Sequence, residues 1–337
     1  MADGFQIPGF VNAHSHAFQR LLRGRTEGGD FWAWRESMLD LARCQTPSRV
    51  RESYAWIYEE MVDAGYTAVG EFHYLGLEEA HAAAAAARDA GIELVLLYVA
   101  YARGGIDRFR QPSVAAYLRG LEELRNAGIR VGLAPHSVRA CPREWLEELG
   151  AYADEHGLPL HVHADEQPKE IEECLAEHGV RPIELLAETG CLGPRTTIVH
   201  ATHADGNELD LLDQAGARIC VCPTTEANLG DGFLPVERVL YRGIGLCVGS
   251  DSNVRIDPLE ELRELDGIAR RQAGRRDVLT VDALLSIGAD EGAASLGLEE
   301  WPAIRIDAGH PQLRGVEEPL CALVHGCSAD VVLSRSG

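Results

Sequence analysis

Residues 8–16 read Pro-Gly-Phe-Val-Asn-Ala-His-Ser-His, an apolar run that ends in two histidines two positions apart. Seven more apolar runs follow, at residues 68–74, 92–100, 129–136, 159–164, 196–202, 218–223 and 244–250. Most are rich in Val, Ile and Leu and show little alternation of apolar and polar residues. This composition is typical of strands that are buried on both faces of a parallel sheet.

The segments between these runs have helical periodicity, and most begin with acidic residues or proline. They cover residues 47–64, 77–90, 114–126, 143–156, 181–188, 204–214 and 258–271. Eight strand–helix units in about 280 residues predict an α/β fold, a (β/α)8 TIM-type barrel. The alternative is a doubly wound sheet, which usually carries a Gly-rich phosphate turn after its first strand. The sequence contains neither GxGxxG nor GxxxxGK.

The chain divides into a predicted barrel at residues 1–297 and a short appendage at residues 298–337. The appendage contains three prolines and two short runs, residues 322–325 and 330–333, whose composition favours β-strands. We interpret it as a small addition rather than a second functional domain.

The amino-acid composition limits which binding partners and which cellular compartment we expect for the protein. Of 337 residues, 46% are apolar and 25% charged, as in globular proteins, and the net charge of −22 argues against nucleic acid or anionic membranes as partners. The nine cysteines include no CxxC pair, and no signal peptide or membrane-length apolar run is visible. These features predict reduced thiols in a cytoplasmic protein. Cys220 and Cys222 would face the same side of a strand.

Polar residues cluster where the predicted strands end. They are His14, His16, His161, His163, His200 and Asp251. The carboxyl ends of barrel strands converge on one mouth, so four separate strands deliver imidazoles and a carboxylate to a common point. Such a set suits zinc, although iron and manganese accept the same ligands. His161 is the weaker histidine of its pair, because Glu166 follows His163 at catalytic spacing.

These residues resemble the amidohydrolase superfamily: PGFVNAHSH at 8–16, His163 with Glu166, His200, and Gly-Ser-Asp at 249–251. The resemblance covers residues 8–296 and is closest to the mononuclear zinc deaminases. Residues 133–136 contain no lysine that could bridge two metals. The resemblance therefore implies one zinc ion per chain.

A narrower resemblance is carried by seven segments in the same order. They are HSHAFQR at 14–20, FWAWRE at 31–36, EFHY at 71–74, APHSVR at 134–139, EQ at 166–167, VHATHAD at 199–205 and TEANLGDG at 225–232. Together they are similar to the N-formimidoyl-L-glutamate deiminases of histidine degradation. That family releases ammonia and N-formyl-L-glutamate from its substrate.

The resemblance implies a role for each matching residue. The expected metal ligands are His14, His16, His163 and Asp251. Glu166 would shuttle a proton, His200 would orient or polarise the reacting carbon, and Asp251 would accept a proton from water. The expected substrate-binding residues are Gln19, Arg35, Tyr74, His136 and Arg139.

The chemistry of these residue types agrees with the expected roles. Zinc lowers the pKa of water from about 15.7 toward about 7, and a nearby carboxylic acid can protonate a departing amine. Arginine grips a carboxylate through two parallel hydrogen bonds, so two arginines in an acidic protein indicate a small anionic substrate with two carboxylates.

The sequence departs from the family at its ends and leaves two other functions open. Relatives place part of a small β-sandwich before the barrel; here that appendage would be reduced or absent, or its first strands would be missing. Another deaminase of the same branch, acting on a nucleobase, an adenosine derivative or a triazine, would share the metal site. A non-catalytic barrel that binds a metal or metabolite is the alternative from a different class. A homodimer is the expected assembly.

Overall fold

The computed structural model describes residues 4–333, and eight parallel strands form its centre. After a short first strand, β1 (Gly4–Pro8), the barrel strands are β2 (Phe10–Ser15), β3 (Tyr66–His73), β4 (Glu93–Ala100), β5 (Val131–Pro135), β6 (Leu160–Ala164), β7 (Thr196–His200), β8 (Arg218–Val221) and β9 (Gly245–Val248). Each barrel strand from β2 to β8 pairs in parallel with the next one along the chain. The predicted (β/α)8 barrel is confirmed.

Helices connect these strands and cover the barrel. They are α1 (Phe31–Arg43), α2 (Pro47–Asp63), α3 (Leu77–Ala90), α4 (Val114–Asn126), α5 (Arg143–His156), α6 (Pro168–His178), α7 (Pro182–Glu188), α8 (Gly206–Ala215), α9 (Pro223–Leu229), α10 (Val236–Arg242), α11 (Pro258–Ala273), α12 (Val281–Gly288), α13 (Asp290–Ser295) and α14 (Pro319–Gly326). Short 3-10 helices span Ala17–Leu22, Asp107–Phe109, Pro311–Leu313 and Ala329–Val331. Within residues 4–333, none of the helices combines the length and apolar character needed to cross a bilayer.

The boundaries of β8 and α9 differ from the prediction of one strand over residues 218–223. The strand stops at Val221, and Pro223 is the first residue of α9. Proline has no N–H to donate to a sheet, and its fixed φ suits the first turn of a helix. The chain therefore turns at Cys222, immediately beside the predicted metal ligands.

The barrel closes between β2 and β9 through a single parallel bridge, which joins Ser15 to Asp251. The backbone N–H of His16 donates to the carbonyl of Asp251 at 2.8 Å, and the N–H of Asp251 donates to the carbonyl of His14 at 3.0 Å. The seam that closes the barrel is thus built from the same residues that carry the predicted metal ligands.

Glycine at position 249 permits this close approach, which gives a stability prediction. A Cβ at Gly249 would lie 2.6 Å from the carbonyl oxygen of His14. We expect Gly249→Ala to lower the free energy of unfolding by about 1–3 kcal/mol, because a buried backbone must move. Urea denaturation measures this change. Gly193→Ala is the control: its Cβ meets nothing within 4 Å, so an equal loss there would contradict the argument.

The first strand and the tail form a second, two-stranded antiparallel sheet. In it β1 pairs with β10 (Ala303–Asp307), with Gly4 opposite Asp307. The prediction of a β-strand at residues 322–325 is wrong, because these residues lie in α14, which begins at a proline and packs its buried Leu323 and Val324 against α11 and α12. The prediction of a second strand at residues 330–333 is also wrong: Ala329–Val331 form a 3-10 helix, and Val332 forms an isolated bridge with Ile306.

Candidate metal centre and its cavity

Four predicted ligands lie together at the carboxyl ends of β2, β6 and β9. His14 Nε2 lies 3.1 Å from the Nε2 atoms of both His16 and His163. Asp251 Oδ1 lies 3.2 Å from His16 Nε2 and 3.6 Å from His14 Nε2. Donors bound about 2.0–2.1 Å from a tetrahedral zinc ion are about 3.3–3.4 Å apart. The separations therefore fit one zinc-sized ion.

The protonation of these side chains also suits a metal. Burial lowers the pKa of His14 to about 3 and that of His163 well below its usual range. Burial alone would raise the pKa of Asp251, but hydrogen bonds with His14 and His16 hold it well below its usual value. At neutral pH His14 and His163 therefore offer neutral imidazole lone pairs and Asp251 offers a carboxylate, the forms in which these groups bind metals.

Neighbouring groups fix the orientation of the ligands. The Nδ1 atom of His163 lies 3.0 Å from the backbone carbonyl of His136, which directs Nε2 toward the cluster. Asn253 donates from Nδ2 to the Asp251 carbonyl at 3.0 Å and to Ser15 Oγ at 3.1 Å. Asp251 and Asn253 both have positive φ, 41° and 56°. This strained turn persists because the hydrogen bonds around it specify its shape.

Glu166 lies beside the cluster in a charged, buried setting. Its Oε2 is 3.6 Å from Arg139 Nη2, and its backbone N–H donates to Glu170 Oε2 at 3.2 Å. Glu170 Oε1 lies 3.4 Å from Arg139 Nε. Burial raises the pKa of Glu166, while the charges of His200 and Arg139 oppose the rise. A raised pKa makes a carboxyl better able to take up a proton that it later releases.

His200, the last residue of β7, is surrounded by carboxylates. Its Nδ1 lies 3.1 Å from Glu226 Oε1, and its Nε2 lies 3.8 Å from Glu166 Oε1 and 3.9 Å from Asp251 Oδ2. Burial lowers the pKa of this imidazole, but the carboxylates outweigh burial and raise it to about 10. Its φ of 75° is another strained backbone at the site.

A cavity of about 240 Å³ opens onto this centre. All five residues predicted to bind substrate line it: Gln19, Arg35, Tyr74, His136 and Arg139. Gln19 Nε2 donates to the Tyr74 hydroxyl at 2.9 Å, and Gln19 Oε1 is buried with no hydrogen-bond partner among residues 4–333. The structure thus brings the predicted substrate residues and the metal cluster to one cavity.

The other histidine of β6, His161, lies apart from the cluster. Its Nε2 atom is 2.9 Å from the carbonyl of Ser295, so this ring serves the packing between β6 and α13. The choice of His163 over His161 as the candidate ligand is consistent with this geometry.

Sequence reasoning missed several residues of the site. Glu170 contacts Arg139, and Glu226 contacts His200. Helix α1 also contributes side chains that line the cavity and that the sequence did not predict. These are Phe31, Trp32, Trp34 and Met38. An acidic residue one helical turn after Glu166 was the only available signal for Glu170. The aromatic segment FWAW marked α1, but nothing in it indicated that the helix covers the barrel mouth.

Comparison with known proteins shows which family the chain belongs to. The amidohydrolase family profile matches residues 5–300. Formimidoylglutamate deiminase of Pseudomonas aeruginosa is 37% identical over 98% of this chain and 76% of its own length. 5-Methylthioadenosine/S-adenosylhomocysteine deaminase of Haloarcula marismortui is 30% identical over 91% of this chain and 71% of its length. The crystal structure of an adenosine deaminase from Xanthomonas campestris with bound zinc has a TM-score of 0.90 at 23% identity, covering 98% of this chain and 78% of that one.

A parallel barrel with a cluster of His and Asp metal-binding side chains at its strand ends is the architecture of a metal-dependent hydrolase. The chain belongs to the amidohydrolase family. Its relatives make it, more narrowly, a deaminase of that family, an enzyme that hydrolyses non-peptide C–N bonds.

Proposed function

We propose that this enzyme is a zinc-dependent deiminase that converts N-formimidoyl-L-glutamate and water into N-formyl-L-glutamate and ammonia, a step of histidine degradation. The observation that carries the proposal is the pair of arginines, Arg35 and Arg139, in the same cavity as the metal cluster and Glu166. The substrate has two carboxylates, and a guanidinium pairs with each. The 37% identity to a formimidoylglutamate deiminase supports the same substrate.

His14, His16, His163 and Asp251 would hold one zinc ion. When bound there, zinc supplies a water whose pKa is lowered toward about 7. Glu166 would take one proton from the attacking water and deliver it to the terminal nitrogen of the protonated amidine. Asp251 would accept the second proton as the carbonyl forms, the bond between the amidine carbon and this nitrogen breaks, and ammonia leaves. The raised pKa of Glu166 suits both transfers.

His200 would orient or polarise the reacting carbon. Glu226 fixes its Nδ1, so Nε2 faces the metal cluster and Glu166. The carboxylates around the ring raise its pKa, which favours a protonated Nε2 that donates a hydrogen bond toward the substrate. A preorganised donor of this kind contributes more in a buried site than in water.

The two arginines differ in what they contact before substrate arrives. Arg139 lies between Glu166 and Glu170, whereas Arg35 is on helix α1 and pairs with Glu36 at 3.4 Å. We assign Arg139 to the substrate carboxylate nearer the metal cluster and Arg35 to the one nearer the mouth. Gln19, Tyr74 and His136 would complete the hydrogen bonds to the substrate backbone.

Replacing Arg139 with methionine is expected to lower kcat/KM for N-formimidoyl-L-glutamate by about 10- to 100-fold, most of it through KM, because a charge-assisted pair is lost. Steady-state ammonia release measures the change. Arg143→Met is the control, since Arg143 pairs with Glu188 outside the cavity. An unchanged KM in folded Arg139→Met protein would contradict the assignment.

A purine nucleoside is the second candidate substrate. Aromatic side chains line the cavity, among them Phe31, Trp34 and Tyr101, and a base could stack on them. A relative with 30% identity is a 5-methylthioadenosine/S-adenosylhomocysteine deaminase. Side-by-side kcat/KM values for N-formimidoyl-L-glutamate and 5-methylthioadenosine test the proposal: preference for the nucleoside would overturn it.

A further inference from the structure

A second group of potential metal-binding atoms adjoins the first and includes Cys222, which has no role in the proposed reaction. His200, Cys222 and Asp251 each offer a donor atom, and these atoms lie within 4.8 Å of one another. Zinc binds nitrogen or oxygen at about 2.0 Å and sulfur at about 2.3 Å, so tetrahedral donors are about 3.3–3.5 Å apart. An ion bound here would therefore draw the three side chains closer together by about 1 Å.

The two carboxylate oxygens of Asp251 face the two groups of donor atoms. Its Oδ1 faces His14 and His16 at 3.6 and 3.2 Å, whereas its Oδ2 faces His200 Nε2 at 3.9 Å. One oxygen can therefore bind the first ion while the other remains available. A carboxylate with its two oxygens turned to two donor sets has the geometry of a bridging ligand.

Glu226 holds the other two donor residues, His200 and Cys222, in position. Its Oε1 lies 3.1 Å from His200 Nδ1 and accepts the backbone N–H of Cys222 at 2.9 Å. The ring is thereby held with Nε2 toward Asp251, and the start of helix α9 is held beside it. Glu166, Glu226 and Asp251 all lie within 4 Å of the His200 ring nitrogens, and three carboxylates around one imidazole favour an added cation.

The thiol gives the site its chemical preference. Cys222 is fully buried with Cys220 and Cys247 in a small cluster inside the barrel. Sulfur ligands select soft or borderline cations over magnesium and calcium. We propose that His200, Cys222 and Asp251 form a second, inhibitory site for a thiophilic divalent cation, such as zinc in excess or cadmium.

Binding of this second ion would block catalysis by occupying groups that the reaction needs. The Cys222 thiol loses its proton to solvent as the metal–sulfur bond forms, and His200 loses any proton on Nε2. His200 can then no longer donate toward the substrate. The inhibition rests on the proposed function, whereas the binding does not.

The test is a cadmium titration of the holoenzyme that carries one zinc per chain. We expect one further equivalent to bind, at least one proton to be released per ion, and an ultraviolet thiolate-to-metal charge-transfer band to appear. Ammonia release should fall in step with that band. Binding with all these signals but no turnover before titration would count against the proposed function alone.

Cys222→Ser should weaken the binding of this cadmium ion at least 10-fold and abolish the charge-transfer band, while the zinc ion stays bound at the first site. Cys247→Ser is the matched control, a buried thiol of the same cluster that is outside the three-donor group, and it should keep both signals. Cys222→Ala serves if the serine variant misfolds. A second equivalent that persists unchanged in folded Cys222 variants, or that never appears in the wild type, overturns the proposal.

Discussion

Replacing Glu166 with glutamine should lower kcat by about 10²- to 10⁴-fold, the usual contribution of a positioned general acid–base group. The amide has nearly the same shape but cannot carry the proton from water to the leaving nitrogen. The zinc content should stay the same, because Glu166 lies outside the four-ligand cluster. Single-turnover ammonia release, with metal analysis of the same sample, measures both quantities.

Glu173→Gln is the control for this substitution. Glu173 also lines the cavity, but it is half exposed and pairs with Lys169. Its neutralisation changes the charge of the cavity without removing the group beside the metal cluster. Turnover of Glu166→Gln at the wild-type rate would exclude the proton-shuttle role.

Replacing His163 with alanine should weaken zinc binding by more than about 100-fold. This loss is larger than the one expected for a residue that only hydrogen-bonds to a metal ligand. The remaining three donors hold the ion less tightly, so turnover should fall with the metal content. Equilibrium dialysis against a zinc buffer gives the affinity, and added zinc should restore activity only at high concentration.

His161→Ala provides a matched comparison, two residues earlier on the same strand. Its ring contacts the Ser295 carbonyl rather than the cluster. We expect this variant to keep one tightly bound zinc and to lose about 1–3 kcal/mol of stability, because a buried hydrogen bond is removed. If instead His161→Ala lost its zinc and His163→Ala kept it, the ligand assignment would be wrong.

The sequence predicted most of the barrel because its signals are local. Residues 92–100 and 129–136 are rich in apolar residues, and glycine follows the α-helix that separates them, so β4, α4 and β5 lie within two residues of their predicted positions. The candidate ligands could be predicted for a related reason. Each one lies at or shortly after the carboxyl end of a strand, and a barrel brings all these ends to one mouth whatever the loop lengths are.

Features that depend on distant packing could not be predicted in this way. Residues 322–325 are apolar enough for a strand, and only their packing against α11 and α12 makes them a helix. Helix α1 follows a turn-rich segment, and its place over the cavity depends on loops from other parts of the chain. Glu226 and Glu170 carry no motif of their own; their roles follow from which side chains face them after folding.

The central claim is that the buried His/Asp cluster, with zinc bound, deaminates a dicarboxylate amidine. The most direct test measures ammonia release from N-formimidoyl-L-glutamate by one preparation, first freed of metal and then reconstituted with one zinc per chain. We expect negligible release before reconstitution, rapid release after it, and N-formyl-L-glutamate formed in equal amount. Zinc bound stoichiometrically to the cluster without any ammonia release from this substrate would contradict it.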